Sequence, residues 1–90
     1  MVTILITNKL APYIGGLREA TATGSDVREL IDDLEERHPG IAHYLLDDQG
    51  ALRRHVNVFV DGEAVADREE LSDPVRDGAT VHILQAHSGG

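Results

Sequence analysis

Strong helical periodicity occurs in only one stretch of this chain, residues 26 to 38. Val27, Leu30, Ile31 and Leu34 recur at three- and four-residue spacings, which place apolar side chains on one side of a helix. Charged residues occupy the opposite side. A helix with one apolar stripe has to bury that stripe against another layer of structure. The rest of the chain must therefore supply a second layer.

The ends of this helix carry residue types that favour helix termini. Ser25 or Asp26 can serve as the N-cap, and Glu29 follows Asp26 by three residues, as in a capping box. The Pro-Gly pair at 39–40 disfavours further helix, so the helix is predicted to end near His38.

The apolar segments on both sides of the helix alternate with polar residues, a pattern typical of half-buried strands. Strands are predicted for residues 2–7, 17–23, 55–60, 63–66 and 79–84. The dipeptides Asp61-Gly62 and Asp77-Gly78 favour tight turns next to the last three strands. One helix that covers a sheet of such strands gives a two-layer α+β domain.

Size and composition exclude several classes of function. Ninety residues form one domain with a modest core, which leaves little room for an enclosed active site. The chain has no cysteine, which excludes disulfides, thiolate zinc sites and cysteine nucleophiles. Its five histidines match no zinc-binding spacing, so no metal site is predicted.

Charge and hydropathy narrow the choice of partner and compartment. The formal net charge of −8 argues against nucleic acid, whose phosphates would repel the chain. No stretch is long and apolar enough for a signal peptide or a membrane span. We therefore expect a cytoplasmic protein that binds neither nucleic acid nor membranes.

The carboxylates of the helix form the densest group of charges in the sequence. Asp32, Asp33, Glu35 and Glu36 lie away from the apolar stripe and are predicted to be a solvated face, not an acid/base pair. No catalytic side chain is predicted.

The sequence ends in Gly89-Gly90. Residues 85–90 are predicted to be a flexible tail that follows a domain of residues 1–84. Glycine tolerates unusual backbone angles and lacks a side chain, so it can pass through a narrow channel. Six extended residues reach about 20 Å, enough to deliver the Gly90 carboxylate into another protein's active site. Taken alone, the same pattern also fits a disordered end without a function.

Four segments carry a resemblance to a known family. They are Val-Thr-Ile-Leu-Ile at 2–6, the helix at 26–35, Val-Asn-Val-Phe-Val-Asp-Gly at 56–62, and residues 77–84 with the tail to Gly89-Gly90. In these segments the chain resembles the MoaD/ThiS family of ubiquitin-like sulfur carriers over nearly its whole length. It is most similar to the sulfur carrier of cysteine biosynthesis, which shares Gly15-Gly16 and a helix region that ends before Gly40-Ile41. The resemblance implies a β-grasp fold, with a mixed sheet of four to five strands on one main helix.

The resemblance also implies that the chain is a protein cosubstrate and not an enzyme. A ubiquitin-activating-enzyme-like adenylyltransferase would use ATP-Mg to adenylate the carboxylate of Gly90, and sulfur would displace AMP to leave a thiocarboxylate. The carrier itself would hold no cofactor. A biosynthetic enzyme would accept the sulfur, with cysteine synthase favoured, and a metalloprotease is a further implied partner. Molybdopterin, thiamine and thiolated RNA stay open as destinations.

A surface for these partners is predicted from strand alternation. Phe59 lies opposite to the valines of its strand and therefore faces away from the helix. Leu5 and Leu84 occupy the corresponding positions of their strands. In a β-grasp fold the three side chains would form one exposed apolar patch, which is typical of a docking surface. A small apolar cluster under loops or the tail is an equally good interpretation.

Two other classes of function stay open. A ubiquitin-like modifier that is conjugated to lysines would share the adenylation step but would yield conjugates of higher mass. A β-grasp binding module without conjugation would show no ATP-dependent change at Gly90.

Overall fold

A computed structural model describes residues 1–7 and 16–85 of the chain. These residues form the strands β1 (Val2–Ile6), β2 (Glu19–Ala22), β3 (Val56–Val60), β4 (Glu63–Ala64) and β5 (Thr80–Gln85), and the helices α1 (Val27–Arg37) and α2 (Ile41–Leu45). Most of the predicted turn at 8–16 and the residues 86–90 of the predicted tail lie outside the described residues.

The five strands form one mixed sheet in the order β2-β1-β5-β3-β4. β1 is antiparallel to β2 and parallel to β5, and β5 is antiparallel to β3. β3 and β4 form a hairpin through Asp61 and Gly62, whose φ angles of +48° and +88° are those that a tight hairpin turn requires. The predicted α+β β-grasp fold, a mixed sheet of four to five strands on one main helix, is confirmed, and the sheet has five strands.

The core lies between α1 and one face of this sheet. The apolar stripe of α1 is fully buried there, as are Leu45, Leu71 and the inward-facing residues of the strands: Val2, Ile4, Ile6, Ala20, Ala22, Val56, Val58, Val81 and Ile83. Each large aliphatic side chain buried in this way contributes about 1.5–3 kcal/mol of hydrophobic free energy. Gly24 brings the chain so close to α1 that a Cβ there would lie 2.5 Å from the backbone nitrogen of Leu30.

The N-terminus of α1 begins at Val27 because every free backbone N–H of its first turn has an acceptor. The side chain of Asp26 accepts a hydrogen bond from the backbone of Glu29 at 2.8 Å, as the predicted N-cap should. The carboxylate of Glu29 accepts from the backbone and side chain of Ser25, one residue before the position that a capping box uses. The N–H groups of Val27 and Arg28 donate to carbonyls of residues 73 and 71.

The strand ends differ slightly from the sequence-based prediction. β2 covers only residues 19–22 of the predicted 17–23. Gln85, which we assigned to the tail, is the last residue of β5 and pairs with Val56 of β3. The sheet ladder therefore holds one residue more than the alternation of apolar side chains indicated, because backbone pairing continues after the last buried side chain.

Candidate functional site

The side of the sheet opposite α1 carries the residues that we predicted for docking. Leu5 of β1 lies beside His82 of β5, and Phe59 of β3 lies beside His82 on its other side. Leu84 is the next residue of β5 on this side, since alternate residues of a strand share a face. We call Leu5, His82, Phe59 and Leu84 the open face. All four side chains are half-buried.

The strand order brings together the three apolar residues that the sequence places far apart. Leu5, Phe59 and Leu84 lie on the three central strands β1, β3 and β5, which are neighbours in the sheet. Their position on one face, away from the core, agrees with the sequence-based geometry. Their role in docking stays a prediction.

His82 is the member of the open face that our sequence analysis missed. We read the histidines only as potential metal ligands, and that reading gives no reason to single out one of them. The alternation of β5 places His82 on the same side as Leu84, but its two apolar neighbours become evident only once the parallel pairing of β1 with β5 is known. Once the strand pairing is known, a search for polar residues whose neighbours on both adjacent strands are apolar finds His82.

The polar border of the open face is fixed by an arginine. Asn57 lies opposite Leu84 in the β3–β5 ladder. The guanidinium of Arg68 donates to the Asn57 side-chain oxygen at 3.3 Å, and to the backbone oxygens of Arg53 and Val56 at 2.8 and 2.7 Å. These bonds attach the loop that contains Arg68 to the start of β3, which pairs with the last residues of β5.

The strand that leads to the C-terminus is the central strand of the sheet. β5 pairs with β1 through residues 80–83 and with β3 through residues 81–85, so it is held on both sides. The backbone up to Gln85 therefore leaves the sheet at a fixed place beside the open face. Gly89 and Gly90, the predicted adenylation site and channel residues, lie outside the described residues.

The carboxylates of α1 make structural contacts. Asp33 accepts a hydrogen bond from the backbone of Thr23 and an ion pair from Arg37, and these contacts hold the pKa of its carboxyl below the usual range. Glu35 accepts hydrogen bonds from the backbone N–H groups of Gly40 and Ala42, which lower its pKa as well. A general acid at neutral pH needs a raised pKa, so these two groups do not fit that role.

Within residues 1–7 and 16–85, no three His, Cys, Asp or Glu side chains lie close enough to hold a metal ion. No helix in this part of the chain is long and apolar enough to span a bilayer. The candidate site of the described residues is thus a surface, the open face, joined to the strand that leads to Gly90.

Solved structures similar to this chain share its fold over nearly the whole length. A chain of the BexX/CysO complex of Amycolatopsis orientalis is 39% identical, with a TM-score of 0.84 and 100% of both chains covered. The small archaeal modifier protein 1 of Haloferax volcanii is 25% identical, with a TM-score of 0.74, 96% of this chain covered and 97% of the other.

Comparison of the amino-acid sequence also identifies sulfur carriers as relatives of this chain. The sulfur carrier protein CysO of Mycobacterium tuberculosis is 37% identical over 91 residues, which cover 99% of this chain and 98% of the relative. The model of the ThiS family matches residues 5–90, which include every member of the open face and both terminal glycines. The chain therefore belongs to the ThiS family and is a homologue of the CysO sulfur carriers.

Proposed function

We propose that this chain carries sulfur as a thiocarboxylate on Gly90 and acts as a protein cosubstrate. The observation that carries the proposal is the 37% identity to CysO sulfur carriers from end to end of both chains. The match to the family model extends over residues 5–90 and therefore includes the terminal glycines as well as the domain.

The chemistry requires activation of the terminal carboxylate, because a carboxylate anion is a poor electrophile. One carboxylate oxygen attacks the α-phosphorus of ATP, pyrophosphate leaves, and an acyl-adenylate forms. Hydrosulfide, or a persulfide that is reduced afterwards by a thiol, attacks the carbonyl carbon and expels AMP. The carbonyl then bears sulfur in place of one oxygen. ATP-Mg belongs to the activating enzyme, and since the reaction consumes ATP we place it in the cytoplasm.

The activating partner in this proposal is a ubiquitin-activating-enzyme-like adenylyltransferase that docks on the open face. Two features support this face: its apolar residues are half-buried and not part of the core, and β5 carries both Leu84 and the start of the tail. A partner on the open face would therefore lie beside the last described residues of β5, which precede the tail in the chain. The CysO of Amycolatopsis orientalis forms a complex with BexX, so a relative of this chain does associate with another protein.

For the sulfur acceptor we favour an enzyme that makes cysteine, a cysteine synthase, with a metalloprotease acting after it. The similarity to CysO supports this choice. Enzymes that make molybdopterin, thiamine or thiolated RNA are the alternatives. Incubation of the thiocarboxylated chain with each acceptor, followed by product analysis, separates them.

The central experiment is mass spectrometry of the full chain after incubation with its cognate adenylyltransferase, ATP-Mg and a sulfide source. We expect a mass increase equal to the difference between sulfur and oxygen, located on Gly90 by fragmentation. Two matched variants, one that ends at Ser88 and one with an alanine added after Gly90, should show no such change. An unchanged full-length chain, or a modified Ser88 variant, would contradict the proposal.

A second candidate function is conjugation to lysines as a protein modifier. The similarity to the small archaeal modifier protein 1 of Haloferax volcanii favours it as the alternative. Adenylation is common to both functions, so the distinguishing measurement is made in cell extracts. Conjugates of higher mass that depend on Gly90 would support the modifier, whereas free thiocarboxylate would support the carrier.

A further inference from the structure

We infer that His82 makes docking on the open face pH-dependent, because the partner binds the neutral imidazole and excludes the charged one. This inference rests on the proposed docking of an adenylyltransferase on the open face. It adds a determinant of affinity to a surface whose other members are apolar.

His82 lies among apolar side chains in the sheet. Leu5 and Phe59 flank it in the neighbouring strands, and Leu84 follows on the same side of β5. A partner that covers these side chains removes water from the imidazole between them. Removal of water disfavours the charged form of an ionisable group, unless a group of opposite charge compensates.

Among residues 1–7 and 16–85 no such compensating group contacts His82: its backbone pairs in the sheet, but its imidazole makes no hydrogen bond or ion pair. The strand positions that share its side of the sheet are Thr3 on β1, Glu19 and Thr21 on β2, Asn57 on β3, Ala64 on β4 and Thr80 on β5. Glu19 is the only carboxylate among them, and it is exposed and pairs with Leu5, one strand farther away.

Two charged groups at the border of this side, Asp61 and Arg68, already have partners. Asp61 forms an ion pair with Arg76 at 3.1 Å and accepts a hydrogen bond from the backbone of Thr80. The guanidinium of Arg68 is bonded to Asn57. An imidazolium under a docked partner would therefore depend on the partner for its counter-charge.

The charge of the carrier acts in the same direction. A formal net charge of −8 favours a partner whose docking surface is basic, since complementary potentials promote association. A basic surface repels an imidazolium that lies in the middle of the interface. Desolvation and the expected charge of the partner thus act in the same direction, toward binding of the neutral form.

The test is the dissociation constant of the full-length chain and its cognate adenylyltransferase, measured at pH 7.5 and pH 5.5 by calorimetry. Imidazoles change charge between pH 5 and 8, so binding restricted to the neutral form should weaken roughly tenfold over this interval. His82→Gln, which keeps a polar side chain without this titration, should lose that extra weakening. His82→Phe should lose it as well, which provides a second variant if the first one folds poorly.

His43→Gln is the matched control, because His43 is an exposed residue of α2 and lies outside the open face. It should keep the wild-type pH dependence. Titration of the partner affects all variants alike, so the ratio of variant to wild-type dissociation constants isolates His82. Circular dichroism at both pH values verifies that each chain is folded.

Three outcomes would overturn the inference: a ratio of variant to wild-type dissociation constants that is the same at both pH values for both His82 variants, a ratio that rises at pH 5.5, or no binding at pH 7.5. The mass change on Gly90 tests the proposed function separately. A chain that gains sulfur on Gly90 but shows equal pH dependence keeps its proposed function and loses only this inference.

Discussion

The two faces of the sheet are built from the same strands but from alternate residues. In β5, Val81 and Ile83 are buried against α1, whereas His82 and Leu84 on the open face are half-buried. No polar or charged side chain among the described residues is fully buried, so the covered face is entirely apolar. The open face instead mixes three apolar side chains with one imidazole.

Because of this difference, the stability of the fold and the binding of a partner depend on different residues of the same strand. A side chain on the covered face loses all contact with water on folding and contributes its full hydrophobic free energy. A side chain on the open face keeps part of its exposed area, which a partner can still bury. Adjacent residues of one strand can therefore be substituted to affect either folding or docking.

The largest effect is expected from a matched pair in β5, Ile83→Ala and Leu84→Ala. Ile83 is 2% exposed, so its truncation leaves a cavity and should lower the free energy of unfolding by about 2–5 kcal/mol. Leu84→Ala removes a half-exposed side chain and should cost about 1 kcal/mol or less. Urea denaturation of both variants measures the difference. Equal losses would mean that Leu84 belongs to a second apolar cluster, the alternative that the sequence left open.

The next effect concerns docking. Phe59→Asp places a charge at the centre of the open face and should weaken binding to the adenylyltransferase by about 2 kcal/mol, roughly thirtyfold. Thr21→Asp adds the same charge at an exposed position of β2 on the same side of the sheet and should change the affinity little. Binding constants and thermal melts of both variants are needed. If Phe59→Asp unfolds the domain, our assignment of Phe59 to the open face is wrong.

Most of the fold could be predicted from the sequence because its signals are local. The stripe of α1, its Asp26 cap and the Asp61-Gly62 turn each depend on residues a few positions apart. The strand order β2-β1-β5-β3-β4 could not be derived from periodicity, since the pairing of β1 with β5 joins residues more than seventy positions apart. The family resemblance supplied the expectation of a mixed sheet.

The same distinction applies to the candidate site. Alternation alone placed Phe59, Leu5 and Leu84 on the side away from the core. The significance of His82 depends on which residues flank it across the ladder, and that is a property of the strand order. The role of Arg68 was also missed, because its carbonyl partners at 53 and 56 are brought to it by a loop without a periodic pattern.

The covered face depends on a loop that one carboxylate helps to hold. Leu71 is fully buried although its φ is +60°, an unfavourable backbone angle for a residue with a side chain. Asp67 holds this loop by accepting hydrogen bonds from the hydroxyl of Ser72 and from the backbone N–H groups of Glu70, Ser72 and Glu69. These bonds favour the charged form and lower the pKa of Asp67 from 3.8 to about 2.

The smallest effect is therefore a pH dependence of stability that acts through the covered face. Because the folded-state pKa of Asp67 is below its ordinary value, its contribution is complete above about pH 4 and is lost as the pH falls toward 2. Asp67→Asn should melt earlier than wild type at pH 7, and the two melting temperatures should converge between pH 4 and 2. Asp48→Asn, a change at an exposed carboxylate, is the control and should show no such convergence. A difference between Asp67→Asn and wild type that stays constant down to pH 2 would show that the hydrogen bonds of Asp67 do not require its charge, and that protonation leaves the buried Leu71 in place.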